Sequence, residues 1–200
     1  AATGTGLFRY YLHSDKFANE VGLEPGTFTP WQEMDADNDL LLYRGLHGGV
    51  IAEDIDISSY PDLLIGAVPS INLEMMRRID RDLRQGLSEE EVRQVVLDRM
   101  VDYVKYITPQ FGRTHINFQM MPMVDTSNPF QFDGVPTLEE CYVVIHFQKI
   151  AQRFDLPKLL QLIPNSFMTR RDQMVVPGPQ MKTAIEIILM PLIQSLIEES

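Results

Sequence analysis

Residues 39–49, DLLLYRGLHGG, hold an unbroken apolar run, Leu40 to Tyr43, that ends in Arg44 and a glycine-rich turn. Such a run suits a strand covered on both faces, as in a parallel α/β sheet. Ligands of open α/β sheets bind just beyond the carboxyl ends of the strands. Gly45, Gly48 and Gly49 would let the backbone come close to a ligand there, with His47 reaching into the crevice. A buried strand followed by an ordinary glycine turn fits the same residues, and the run alone does not separate the two readings.

Downstream, Asp62–Val68 (DLLIGAV) reads as a second buried strand, closed by Pro69. Residues 70–86, SINLEMMRRIDRDLRQG, read as a helix with Ser70 or Asn72 as cap and Gly86 as terminator. Leu73, Met76, Ile79 or Asp80, and Leu83 fall near one face, and Arg77, Arg78, Arg81 and Arg84 line much of the other. Ser88 with Glu91 is a capping box for a second helix, which carries Val92, Val96, Met100 and Val104 and stops before Pro109. Residues 70–105 are thus expected to form a lid-like helical pair. His115–Val124, Tyr142–Phe147 and Gln173–Val176 read as strands, and Asp125–Pro129 as a turn. The last helix is expected from Gln180 to roughly Glu198, apolar on most sides and kinked at Pro191. Upstream, Leu7–His13 reads as a strand, and 14–38 as a loop with Trp31 packed beneath it. Strands and helices interleave without repeats, which favours a single three-layer α/β domain over residues 1–200.

Composition narrows the function classes. A net charge of −11 argues against nucleic acid as a partner, which calls for a basic face. No uninterrupted apolar segment matches a membrane span; the run 184–197 comes closest and is broken by Glu186, Pro191 and Gln194. The first residues, AATGTGLFRYY, lack the pattern of a secretory signal. Cys141 is the single cysteine, so no intrachain disulfide forms, and a buried thiol in a reducing compartment is expected.

The strongest chemical signal is the cluster Arg77, Arg78, Arg81 and Arg84, obligatory charges within about two helical turns. A helix carries such a set on an open surface or against a polyanion, and phosphate matches the guanidinium fork. Asp80 and Asp82 lie inside the cluster, either damping its repulsion, or orienting an arginine, or steering a hydroxyl or a metal. His47, His115 and His146 have no partners at metal spacing, so no metal site is expected. No GxSxG or GxxxxGK[ST] occurs in the chain.

Taken together, PGTFTPWQ (25–32), LLLYRGLHGG (40–49), INLE (71–74), YITPQFGRTHINFQ (106–119), VDTSNPF (124–130), VVIHF (143–147) and VVPG (175–178) resemble the phosphoribulokinase family of the proteobacterial type. The resemblance implies a P-loop kinase-like fold with a mixed sheet. It also implies ATP-dependent phosphorylation of ribulose 5-phosphate to ribulose 1,5-bisphosphate, the Calvin-cycle reaction, with ATP and Mg²⁺, in a cytoplasmic homo-oligomer. Two departures stand out. The amino-terminal P-loop unit of the family, with its phosphate loop and sugar-hydroxyl base, has no counterpart in these residues. The acid that closes the family's central strand, similar to a Walker B acid, is Arg44 here, and a cation repels Mg²⁺.

Residue by residue, the resemblance carries the family's Arg-Asp pair onto Arg81 and Asp82 as catalytic residues. Its lysine one turn earlier falls on Arg78, and the acidic metal position on Arg44. His47 and Arg84 carry over as substrate-binding residues, joined by Arg77 from the cluster. Arg170, and His146 where some relatives have arginine, fall on positions tied to subunit contacts and effector response. The leading expectation is the carboxy-terminal two-thirds of a phosphoribulokinase, inactive alone. The alternatives are a non-catalytic sugar-phosphate or nucleotide binder, and a structural relative whose arginine face is solvated or pairs with acidic residues of another subunit. A sheet without its first strand is also expected to expose an edge and self-associate.

Overall fold

The structure is a computed structural model that describes residues 6–12, 15–34, 40–131 and 133–199. The backbone divides into two compact units, one up to Leu42 and one from Tyr43 to Glu199.

In the first unit, β1 (Leu7–Phe8) precedes α1 (Asp15–Val21), and β2 (Gln32–Glu33) pairs antiparallel with β1. Leu12 and Ala18 are its buried apolar residues. The expected strand over Leu7–His13 shrinks to two residues and a bridge between Tyr11 and Phe28; His13 lies outside the described residues. The expected loop over 14–38 holds α1, a helix of 7 residues that is too short to show a helical period. Trp31 is a correction: it is 59% exposed, with the Arg9 guanidinium 4.4 Å from its ring centroid and 4.1 Å from that of Phe28. A cation stacked on an indole holds it at the surface instead of under the loop.

The larger correction concerns Leu40–Tyr43. No described strand pairs with this run, and Leu41, Leu42 and Tyr43 are 69%, 82% and 64% exposed. An apolar run becomes a central strand only where a neighbour offers a ladder and layers cover both faces. The described residues offer it neither. Asp39 lies outside them.

The second unit opens with a small hairpin, β3 (Ile51–Ala52) and β4 (Ile55–Asp56). Its main chain-order elements are β5 (Ile65–Pro69), α2 (Ile71–Arg84), α3 (Glu89–Asp102), β6 (Ile116–Pro122), β7 (Cys141–His146), α4 (Leu156–Leu162), β8 (Phe167–Arg170), β9 (Gln173–Pro177) and α5 (Met181–Glu199). The sheet order is β5-β6-β7-β9-β8, with β5 parallel to β6 and every other pair antiparallel. This is the mixed α/β sheet that the resemblance implies.

Register puts the core on one face. Phe118 opposes Ile145 and Met120 opposes Val143, while Val143 opposes Val176 and Ile145 opposes Met174. Leu159 of α4, with Ala184, Ile188 and Leu192 of α5, packs into these side chains. Residues 178–199 are long and apolar enough to cross a membrane, yet these three positions belong to the core. Helix α5 runs on past Pro191. Cys141 is buried with Leu73 of α2 and Met120. Burial raises its thiol pKa, which makes it a packing residue in place of a nucleophile.

The two sheet edges differ. β8 carries a register shift between Met168 and Arg170 and a charged end, both of which discourage pairing. β5, IGAVP, has no charge and pairs only with β6 among the described residues.

The α2–α3 pair forms as expected. Gly86, at φ +93°, closes α2: its N–H donates to the Leu83 carbonyl, and that of Leu87 donates to the Asp82 carbonyl. These are the two bonds of a left-handed helix terminus. Ser88 caps α3 reciprocally, since its N–H donates to Glu91 Oε2 at 2.8 Å and its Oγ accepts from the Glu91 N–H. Past Asp102 the helix widens into a π turn, Tyr103–Ile107, then tightens into a 3₁₀ turn, Thr108–Gly112. Pro109, with no N–H to donate, sits where the α pattern cannot continue.

His115, just before β6, bonds twice to Leu64, just before β5. Its Nδ1 accepts from the Leu64 N–H at 2.9 Å, and its own N–H donates to the Leu64 carbonyl. Burial, then Lys149 and Arg153, push its pKa below the ordinary value. The unfolded chain therefore binds the proton more tightly, and this contribution to stability is complete above pH 6.5 and lost as pH falls below it. The thermal midpoint is expected to drop between about pH 7 and about pH 5. His115→Asn, which keeps an acceptor but does not titrate, is expected to flatten that drop; calorimetry at the two pH values checks it. Gly86→Ala is expected to cost roughly 1–2 kcal/mol in denaturant unfolding, because an L side chain is strained at positive φ.

Candidate functional site

The glycines of 45–49 lie along the side of β5. A cleft of about 170 Å³ follows the unpaired edge of that strand, between Gly45, Gly48 and Gly49 on one wall and Tyr103, Ile107 and Gln110 on another. Its floor is Leu64 with Ile65, Gly66, Ala67 and Pro69 of β5, and Glu74 of α2 also lines it. The glycine turn thus meets a cleft, but beside a strand edge, whereas the sequence pointed beyond the carboxyl end of the run 40–43. Gly66 in the floor has no room for a side chain, since a Cβ there would run into Asn117 Oδ1.

The wall opposite the glycines is built from polar groups that satisfy one another. The Phe111 carbonyl accepts from Thr114 Oγ1, Asn117 Nδ2 and Gln148 Nε2 at 3.0, 2.9 and 2.6 Å. Thr114 Oγ1 also lies 2.8 Å from Asn117 Oδ1. From this frame Gln110, 7% exposed, reaches across to the glycine loop. Its Oε1 accepts from the Gly49 N–H at 3.0 Å, and its Nε2 donates to the carbonyls of Leu46 at 2.8 Å and Tyr106 at 2.7 Å. Arg113 adds a bond to the Gly49 carbonyl at 3.1 Å.

Three of the four arginines of α2 are paired within the helix. Arg78 lies 3.8 Å from Glu74, Arg84 lies 3.0 Å from Asp80, and Arg81 lies 2.7 Å from Asp82. Arg77 places Nη2 2.9 Å from Met120 Sδ. Asp82 is 7% exposed and receives both Nε and Nη2 of Arg81 on one oxygen, which leaves its other oxygen outside that pair. Glu74 lines the main cleft, and it also lines a second small cavity with Arg78 and Tyr103. Burial, and then the Glu74 charge, raise the Tyr103 pKa, so the phenol stays protonated and able to donate.

The remaining residues fall in two places. Arg44 and His47 are exposed in the glycine loop. His146 and Arg170 are both register partners of Gln173, so two positions far apart in sequence share one row across β7, β9 and β8. His146 Nε2 lies 3.0 Å from Asp172 Oδ2, and that contact lowers the Asp172 pKa. Gln110, Glu74 and Tyr103 escaped the sequence reading. Gln110 and Glu74 lie within the matched segments 106–119 and 71–74, but no spacing rule marks an uncharged amide or a lone carboxylate.

A divalent metal asks for several oxygen donors in one place. Among the described residues no three His, Cys, Asp or Glu side chains converge. The cleft itself offers Glu74 as its carboxylate, and Arg44 adds positive charge to the loop. This donor set does not fit a resident Mg²⁺.

Three comparisons complete the site. The sequence model of the Phosphoribulokinase / Uridine kinase family matches residues 1–127. A chromosomal phosphoribulokinase of Cupriavidus necator is 49% identical over 199 residues, covering 99% of this chain and 68% of its own length. A probable phosphoribulokinase of Escherichia coli is 46% identical over 197 residues, covering 98% and 68%. The solved phosphoribulokinase of Rhodobacter spheroides superposes with a TM-score of 0.86 at 42% identity, covering 99% of this chain and 69% of that one.

Proposed function

Since the chain belongs to the Phosphoribulokinase / Uridine kinase family, we propose that it forms the sugar-phosphate-handling part of a phosphoribulokinase. The reaction is transfer of a phosphoryl group from ATP to ribulose 5-phosphate, giving ribulose 1,5-bisphosphate, in the cytoplasm. The observation that carries this reading is the α2 face, where Arg77, Arg78, Arg81 and Arg84 flank the buried Asp82. Guanidinium forks suit phosphate oxygens, and in phosphoryl transfer most of the work is positioning and charge stabilisation. Arg78, Arg81 and Arg84 gather phosphate charge by exchanging their carboxylate partners for it. Asp82, fixed by Arg81, holds a sugar hydroxyl, and His47 joins from the glycine loop. The α2–α3 pair acts as the lid that brings these groups together. Arg170 and His146 serve subunit or effector contacts along the row they share across β7, β9 and β8.

The 200 residues contain no GxxxxGK[ST] loop and carry Arg44 at the acidic position, so this chain alone is not expected to turn over. Titrating ribulose 5-phosphate while following the thermal midpoint tests the reading. Stabilisation is expected in the native chain and is expected to fall by at least about half in Arg81→Ala. No response to ribulose 5-phosphate removes the proposal.

Arg44 favours a second reading, a sugar-phosphate binder that does no chemistry. An ATP-coupled assay of Arg44→Glu beside the native residue, each in a chain supplied with a P-loop unit, separates the two. Turnover gained in the Arg44→Glu variant supports the kinase; binding without turnover in both supports the binder.

The uncharged edge of β5 also supports self-association. Light scattering is expected to show mass rising with concentration. Ala67→Lys, at an exposed position on that strand, is expected to reduce the rise, and a monomer throughout would remove this part.

A further inference from the structure

We propose that Gln110 is a positioning residue whose carboxamide holds the glycine loop 45–49, and with it His47, in register with the cleft. The inference rests on the reading that His47 serves a sugar phosphate; the contacts themselves do not. A carboxamide offers an acceptor and two N–H donors. At Gln110 all three are used: the Gly49 N–H on Oε1, and the carbonyls of Leu46 and Tyr106 on Nε2. Two of these contacts bridge 61 and 64 residues of sequence, so the bonds are tertiary and fix the loop against the turn 103–112. They bracket His47 on both sides, since Leu46 precedes it and Gly49 follows by two residues. Beside these, Arg113 donates to the Gly49 carbonyl at 3.1 Å, and side-chain packing adds little. Leu46 is 66% exposed, and Gly45, Gly48 and Gly49 have no side chains to pack.

No other uncharged side chain meets this requirement. Asparagine is one methylene short. Glutamate keeps the acceptor but, when ionised, sets an oxygen anion against two carbonyl oxygens. Once protonated, it regains one donor. A buried glutamate with such neighbours holds its proton above the ordinary carboxyl range. Gln110→Glu should therefore hold the loop at low pH and release it as pH rises through that raised value.

Amide hydrogen exchange on the free protein tests the inference. In Gln110→Ala, exchange at Gly48 and Gly49 is expected to rise about tenfold or more. The β6–β7 amides are expected to keep their protection. In Gln110→Glu, the loop is expected to be protected at about pH 5 and exposed at about pH 8, relative to the native protein at the same pH. Unchanged loop exchange in both variants overturns the proposal. So does an equal rise at every amide, which would mark a residue that only stabilises the fold. Should Gln110→Ala not fold, the pH response of Gln110→Glu decides alone. A ribulose 5-phosphate titration of the same proteins is expected to show about tenfold weaker binding in Gln110→Ala. If the native chain does not bind the sugar phosphate, the role proposed for His47 fails while the exchange result still judges Gln110.

Discussion

The pairing of β6 with β7 governs the second unit. Phe118 against Ile145 and Met120 against Val143 set which side chains face α4 and α5. A slip of one residue would turn Asn117 and Gln119 into the core and Phe118 and Met120 out of it. The buried network at Asn117 would break in the same step, and with it the frame that carries Gln110. Core packing and cleft geometry therefore answer to a single register.

What the sequence made legible follows from local signals. The capping box at Ser88 and Glu91 and the terminator at Gly86 fixed α2 and α3 closely, because each depends on neighbours in the chain. Period and flanking turns placed β5, β6, β7, β9 and α5. The run 40–43 misled because its apolarity describes a place in a sheet, and that place depends on strands elsewhere. Trp31 misled for the opposite reason: Arg9, distant in sequence, supplied a surface partner. The arginine face was legible as chemistry, while its pairing with Glu74, Asp80 and Asp82 emerged only with side chains in place. Gln110 was illegible because its three bonds are tertiary or lie in an irregular turn.

The cleft and the arginine helix embody different kinds of order. Along the cleft, backbone and amide groups are satisfied by fixed partners. On α2, Arg78, Arg81 and Arg84 are satisfied by carboxylates of the same helix, which solvent can reach apart from Asp82. Exposed pairs of that kind contribute little to stability, so they are free to exchange.

Three carboxylates share α2 with its four arginines, in a chain whose net charge is −11. Seen from a distance, such a helix is nearly neutral and the molecule as a whole repels anions. Counter-ions blur what remains beyond about one Debye length, about 8 Å at physiological salt. On the proposed reading, the helix would be a contact reader and a poor beacon. A phosphate would meet the guanidinium forks once within reach, but the helix would do little to draw one in. Capture by such a surface is governed by how long an encounter lasts more than by how often it happens.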